Sequence, residues 1–364
     1  MKHFVIGFYI LLCAAFLYAC KPKEYVTKVE RACYYWKNTE DKFSEKELDY
    51  LQKDSIDKLY VKFFEVETNP DYGIIPTVKS VLGLNYWDYK NGDSLYGEKF
   101  KHLNIIPTVY IRNAVFTDIS KGAMDTLADN IIFLTTKHFN EYIRSTGLPF
   151  SEIHIDCDWT PTTRDNYFYF LKKLKTLAKK SISATLRLYP YKYPDKMGIL
   201  PVDKAMLMCY NLNNPLSDSE ENSILESTVL EKYLKGTKKY PVHLDVALPI
   251  FNWMLWYRNN VFSGIIYTSQ SDLLKDSLVQ QIRPNWYALK KDIMLTDNNL
   301  FLKAGDKFKI ETVNEETIHR SISLIQQHVI FDDSTTVSLF HLDTKQLEKY
   351  SHETITSFYT DFTK

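Results

Sequence analysis

Two aspartates set two residues apart open the chemistry of this chain. In the run Glu152-Ile153-His154-Ile155-Asp156-Cys157-Asp158-Trp159-Thr160, apolar and polar residues alternate. That is the period of a β-strand, whose successive side chains point to opposite faces. His154, Asp156, Asp158 and Thr160 then share one face, and Cys157 points the other way. Two carboxyls roughly 7 Å apart along one strand raise each other's pKa. One can stay protonated as an acid while its neighbour stays ionised. Glycosidic bonds are cleaved by such chemistry, with two carboxyls about 5.5 Å apart for retention or about 6.5–9.5 Å apart for inversion. Asp158 is the candidate acid or nucleophile, and Asp156 would orient and tune it. Glu65 is the candidate second carboxylate, with Asp343 behind it and Glu67 as the inward residue if the register slips. Arg112, Arg187, Tyr210, Asn211 and His341 would hold substrate hydroxyls or a charged group. Tyr35, Trp36 and Trp253 would stack on the apolar CH faces of sugars.

These residues must be positioned by strands, and apolar β-branched runs alternate with helical patterns along the chain. The strand candidates are 32–36, 59–66, 105–113, 152–158, 181–189, 205–211, 242–251 and 335–342. Helical spacing marks 45–56, 123–144, 164–179, 222–234, 315–327 and 344–358. The helix at 164–179 carries Tyr167, Phe170, Leu171, Leu174 and Leu177 on one stripe. Eight strands separated by helices imply an α/β fold, a closed (β/α)8 (TIM) barrel. Residues 252–312 form a decorated loop after the seventh strand, with a hairpin turning at Asn259-Asn260. A rival reading puts the eighth strand at 262–267 and makes the tail an appendage. A doubly wound open sheet is the alternative architecture, but the Gly-rich first turn it usually shows is missing. In a barrel, the carboxyl ends of the strands carry the chemistry, and the candidate residues fall there.

Composition narrows the classes. The chain has 364 residues, with 45 Lys plus Arg and 45 Asp plus Glu, so the net charge is zero. Nothing advertises a nucleic-acid partner. No GxGxxG, P-loop, HExxH or GxSxG appears, so no cofactor is expected. No His, Cys, Asp or Glu set has metal-ligand spacing, and His341 reads as a hydrogen-bonded barrel residue. Cys33, Cys157 and Cys209 lie in strand-like runs without CxxC spacing and read as buried free thiols. The pentapeptide IIPTV occurs twice, at 74–78 and 105–109, without a third copy that would signal a repeat architecture. Aromatic residues are 15% of the chain, enough for both a large core and a sugar platform.

The first twenty residues read as an export signal. Lys2 and His3 form a basic start, and an apolar run from Phe4 to Phe16 is too short to span a bilayer. Leu17-Tyr18-Ala19-Cys20 resembles the bacterial lipobox. The resemblance implies removal of residues 1–19, lipidation of Cys20, a tether over 20–30 and a barrel domain over 31–364. Two acyl chains would anchor the protein to a membrane without a spanning helix. The implied location is the cell envelope, at the outer membrane of a Gram-negative bacterium.

A family resemblance joins the strand motifs. Asp156-Cys157-Asp158-Trp159-Thr160 resembles the DxDxE signature on the fourth strand of family 18 glycoside hydrolases. Met208-Cys209-Tyr210-Asn211 resembles that family's M-x-Y-D, and Ala247-Leu248-Pro249 its leucine-proline element on the seventh strand. The three occur in order and cover about residues 150–255. Thr160 stands at the family's acid Glu and Asn211 at its Asp, and a hydroxyl cannot protonate a glycosidic oxygen as a carboxylic acid does. The arrangement is closer to the glycosidase-like barrel lipoproteins of gut Bacteroidetes. The resemblance implies a carbohydrate substrate or ligand. It leaves a hydrolase, a non-catalytic sugar binder and a structural or assembly lipoprotein as alternatives. A hydrolase needs facing carboxyls. A binder needs an aromatic groove with its aspartates held by Arg or backbone amides. A structural protein needs a filled mouth.

Overall fold

The computed structural model describes residues 26–37, 43–77, 82, 103–142, 150–217, 220–266, 273–275, 277–295 and 299–363. The leader and Cys20 lie outside them. Eight parallel strands close on themselves: β1 Lys28–Tyr35, β2 Lys58–Asn69, β4 Asn104–Ile111, β5 Glu152–Asp156, β6 Ser181–Arg187, β7 Lys204–Met208, β8 His243–Pro249 and β16 Ser334–Phe340. β1 pairs with β16 on one side and with β2 on the other, which completes the ring. The chain is a (β/α)8 barrel, and every expected strand is present in order. β3, Gly73–Thr77, runs antiparallel on β2 as an extra strand. The two IIPTV copies thus lie in β3 and β4, on either side of β2.

Helices α1 Glu45–Lys53, α2 Lys121–Tyr142, α3 Arg164–Ala178, α4 Leu188–Lys192, α5 Pro194–Met197, α6 Ser227–Leu234, α7 Glu315–His328, α8 Thr344–Leu347 and α9 His352–Thr360 account for most of the described connections. α1 starts with a capping box, the Ser44 side chain accepting from the Glu47 amide while the Glu47 carboxylate accepts from the Ser44 amide, which satisfies two otherwise orphaned donors. α3 buries Tyr167, Phe170, Leu171 and Leu174, the expected stripe. Two helices depart furthest from their patterns. The Asn222 side chain accepts from the amides of Ile224 and Leu225, a local turn that competes with helix, so α6 begins at Ser227. The 344–358 segment splits because Ser351 caps a new start at α9. Cys33, Cys157 and Cys209 are buried free thiols.

Residues 253–311 are more than a decorated loop. β9 Trp253–Arg258 and β10 Val261–Ile266 form the expected hairpin, with Asn259 and Asn260 both at positive φ, the conformation a two-residue turn needs. They join β15 Lys307–Glu311, β12 Trp286–Leu289 and β11 Val279–Arg283 in a five-stranded antiparallel sheet. β13 Ile293–Leu295 and β14 Leu300–Leu302 form a separate hairpin. The sheet has its own core of Met254, Ile266, Val279, Leu289, Leu302, Phe308 and Ile310. The short, partly polar runs of β11 and β12 carry too little alternation to read as strands.

The barrel interior is unusually polar for this architecture, where branched aliphatic layers normally fill it. The Ser183 hydroxyl donates to Glu152 Oε1 at 2.5 Å. His154 Nδ1, 2.7 Å from Ser183 Oγ, must then be the donor there. That assignment leaves Nε2 to accept from the Tyr34 hydroxyl at 3.1 Å. Burial pushes the His154 pKa down to about 3, which agrees with a neutral ring. Below it, Lys204 and Lys58 approach Glu152 at 3.7 and 3.9 Å, so the buried acid is compensated by cations.

Candidate functional site

The mouth is built where β5 ends. Asp156 is the last residue of the strand and Asp158 follows it, exposed, while Cys157 between them is buried. The Thr185 hydroxyl donates to Asp156 Oδ1 at 2.8 Å and accepts from the Cys157 amide at 3.3 Å. Burial first, and then the charge of Asp158, push the Asp156 carboxyl up to about 6 against the opposing charge of Arg187. Arg187, the last residue of β6, grips Asp158 with two bonds, Nε to Oδ1 at 2.6 Å and Nη2 to Oδ2 at 3.1 Å. That is the bidentate geometry of strong Arg–carboxylate pairs.

Glu65 comes from β2, where the register shifts by one residue between Lys62 and Phe64. The bulge keeps Lys62 and Glu65 on the same side although they are three apart, and Lys62 Nζ donates to Glu65 Oε1 at 2.7 Å. Arg112 Nη2 lies 3.7 Å from Glu65 Oε2, and Arg112 Nε 2.9 Å from Glu67 Oε2. Both glutamates therefore face the same guanidinium. Lys62 also lies 5.3 Å from the Trp36 ring centre.

The strand register places Glu65 beside Tyr110 and Tyr110 beside Asp156. Tyr110 was not among the expected site residues, although alternation from Arg112 through Tyr110 to Thr108 carries the signal. Burial, then Asp156 and Asp158, push its hydroxyl up to about 12. Tyr210 is buried under the mouth, its ring 5.2 Å from Phe340 and 5.9 Å from Phe251. Its hydroxyl has no hydrogen-bond partner among the described residues. Trp36 stands against Phe340 at 5.7 Å, Tyr34 at 6.1 Å and Tyr110 at 6.3 Å. Phe340 was missed because its polar neighbour His341 drew the reading.

Other expected residues lie elsewhere. Tyr35 is 1% exposed and packs on Phe43 at 5.1 Å, on the outer side of β1. Tyr34 takes the inward position, because strand alternation leaves room for only one of the two. Asp343 caps α8, its side chain accepting from the Gln346 amide at 3.3 Å. Asn211 is exposed at positive φ, a turn role that Asn tolerates. Trp253 is at the rim, its ring 5.5 Å from Phe251, and its indole N–H donates to Glu311 Oε2 at 2.6 Å. Burial, opposed by Asp343 and assisted by Lys37, pulls the His341 pKa down to about 4. Its Nδ1 has no hydrogen-bond partner among the described residues. Thr160 is turned into the start of α3: its hydroxyl meets those of Thr162 and Thr163 at 2.9 and 3.2 Å, and its carbonyl accepts from the Arg164 amide. The adjacent Trp159 is buried against Phe168 and Tyr167.

Among the described residues no group of three His, Cys, Asp or Glu side chains could hold a metal ion. A Ser–His–Asp constellation does occur in the helical shell. Ser357 Oγ is 3.3 Å from His319 Nε2, and His319 Nδ1 is 2.7 Å from Asp361 Oδ2. The Ser357 proton, however, points to the Thr354 carbonyl at 2.6 Å. The set ties α7 to α9 and offers no activated nucleophile.

The fold and the mouth define the class: a (β/α)8 barrel with an antiparallel sheet inserted before its last strand and a charged, aromatic mouth. No family model matches the chain, and no curated protein matches it. Solved structures do resemble it. The spore cortex-lytic enzyme SleL of Bacillus megaterium is 13% identical with a TM-score of 0.51, over 93% of this chain and 75% of that one. The C-terminal domain of a putative chitinase from Desulfitobacterium hafniense is also 13% identical with a TM-score of 0.51, over 93% of this chain and 100% of that one. At such identity the likeness is one of fold.

Proposed function

We propose that this protein is a lipid-anchored barrel that recognises carbohydrate at its mouth without hydrolysing it. The observation that carries the reading is the grip of Arg187 on both oxygens of Asp158. Each Asp158 oxygen is committed to a charge-assisted bond with the guanidinium, which fixes the carboxylate as an oriented acceptor and favours binding over transfer of a proton or attack on a sugar. Glu65 is held by Lys62 and faces Arg112. At the position of the family acid, Thr160 spends its hydroxyl on the turn before α3. These charged hydrogen-bonding groups stand near the half-buried rings of Trp36, Tyr110 and Phe340, a mix of aromatic and polar groups suited to a polyhydroxylated ligand. The two barrel neighbours are named as a spore cortex-lytic enzyme and a putative chitinase. Chitin oligomers and cortex-type glycans are therefore the first ligands to try. Lipidation of Cys20 would hold the barrel at the outer membrane, as in the Bacteroidetes lipoproteins that the sequence resembles.

The test is a glycan panel read for both binding and sugar release. Binding without release supports the proposal. Turnover that survives purification and disappears in Asp158→Asn overturns it. One observation favours a second reading. Asp156, with its carboxyl raised to about 6, is the one of the three candidate carboxyls, Asp156, Asp158 and Glu65, with no ion pair among the described residues. Turnover lost in Asp156→Asn, and in the wild type falling as pH rises through about 6, would establish it as the acid.

A further inference from the structure

A second feature of the mouth face lies outside the site described above. Immediately after β6, the chain turns through α4 and α5 and presents two tyrosines, Tyr189 (45% exposed) and Tyr193 (36% exposed). Their ring centres are 4.8 Å apart. They wall a groove of about 400 Å3 whose other side is Asn213, Glu221, Lys232 and Tyr233. Ligand pockets run from about 300 to 1,000 Å3, so this one has room for roughly one or two sugar rings.

The groove is held in shape. The Lys192 ammonium donates to the Lys232 carbonyl and so ties α4 to α6. The Tyr191 hydroxyl meets Thr237 at 3.0 Å. The Asn213 amide donates to Glu221 Oε2 at 3.1 Å, which leaves its carbonyl oxygen free to accept and fixes where it points. The ammonium groups of Lys192 and Lys196 lie 5.9 and 5.5 Å from the centre of the Tyr193 ring. Exposed ring faces beside an oriented amide, a carboxylate and an ammonium suit a polyhydroxylated ring. Its CH face stacks, and its hydroxyls both donate and accept.

Position in the chain links groove and mouth. Tyr189 is two residues beyond Arg187, which grips Asp158, and Asn213 is three beyond Tyr210. We infer that the Tyr189–Tyr193 groove is a second, outer sugar site that takes the continuation of a glycan chain whose first units occupy the mouth. This rests on the carbohydrate reading of the mouth and extends it. It makes this protein a reader of chain length, because a short glycan fills the mouth alone while a longer one reaches both places.

The test is calorimetric titration with chitin oligomers of two to six units, using the wild type, Trp36→Ala and the double variant Tyr189→Ala/Tyr193→Ala. Both tyrosines are exposed, so the double variant should fold, and near-ultraviolet circular dichroism checks that it does. The expected result is that the double variant loses roughly tenfold in affinity for the longest oligomers and nothing for the dimer, whereas Trp36→Ala weakens every length. Tyr189→Phe/Tyr193→Phe, which keeps the rings, should retain most of the long-chain affinity. Unchanged long-chain affinity in the double alanine variant overturns the outer site and leaves the mouth reading standing. A wild type that binds no oligomer of any length overturns both.

Discussion

Asp156 and Asp158 began as an equivalent pair and end as opposites. Arg187 lies on Asp158, while Asp156 is half-buried beside Thr185 and its carboxyl rises to about 6. The raised value sets a sign. In the unfolded chain an Asp titrates near 3.9, so the folded state binds the extra proton between there and 6. Stability from this group is present at low pH and is lost as pH rises through 6. Asp156→Asn should therefore be stabilised by about 1–3 kcal/mol at pH 8 and by almost nothing at pH 4, read as urea midpoints at the two pH values. Arg187→Gln removes a cation that lowers the same carboxyl. The Asp156 midpoint, followed by carboxyl-carbon NMR, should move above 6. Glycan affinity should fall by roughly tenfold, since Asp158 loses the guanidinium that orients it.

At the scale of elements, a buried carboxylate helps to fasten the inserted sheet to the barrel side. Glu311 is wholly buried and accepts from the Ser223 amide at 3.0 Å, the Ser223 hydroxyl at 2.5 Å and the Trp253 indole at 2.6 Å. Lys309, equally buried, lies 2.9 Å from it. Removing one member of such a pair strands the other charge. Glu311→Ala should cost about 3–5 kcal/mol, and the double change Glu311→Ala/Lys309→Met should recover a large part of it. Denaturant midpoints of the three proteins decide this; a double variant as unstable as Glu311→Ala would mean that the hydrogen bonds, not the charge, hold the sheet.

Across the whole molecule, the polar axis of the barrel sets the acid limit. His154 is held neutral, with a pKa of about 3 in the fold against about 6.5 in the unfolded chain. The unfolded state takes up a proton below 6.5 and the folded state does not, so stability falls from pH 6.5 down towards 3. His154→Asn should flatten that limb and lower stability near pH 7, where the ring's bonds to Tyr34 and Ser183 are lost. Melting temperatures from pH 4 to 8 check both. No helix among the described residues is long and apolar enough to cross a membrane. The proposed lipid anchor at Cys20 carries its own prediction. Cys20→Ala should move the protein from the membrane to the soluble fraction and abolish palmitate labelling. Seven residues separate Cys20 from the start of β1 at Lys28, a reach of at most roughly 28 Å over eight steps. β1 begins at the end of the barrel opposite the mouth, so an anchored molecule should present its mouth away from the bilayer, where soluble glycans reach it.

The sequence by itself determined the eight barrel strands and their order, because period-two and period-3.6 patterns are local and survive without neighbours. It also determined that Asp156 and Asp158 stand together, since both lie at the end of one strand. Three matters were decided only by tertiary structure. A single bulge at Phe63 brought Lys62 into register with Glu65, and no composition marks where a bulge falls. The closure of β16 on β1 set Tyr34 inward against Phe340 and turned Tyr35 out, because which face of a strand is inside depends on the ring it joins. The partner of Asp158 sits 29 residues away on the next strand, where alternation names Arg187 as a candidate but not as a clamp. A carboxylate's chemistry depends on what its two oxygens touch, and contacts between strands are absent from a one-dimensional pattern.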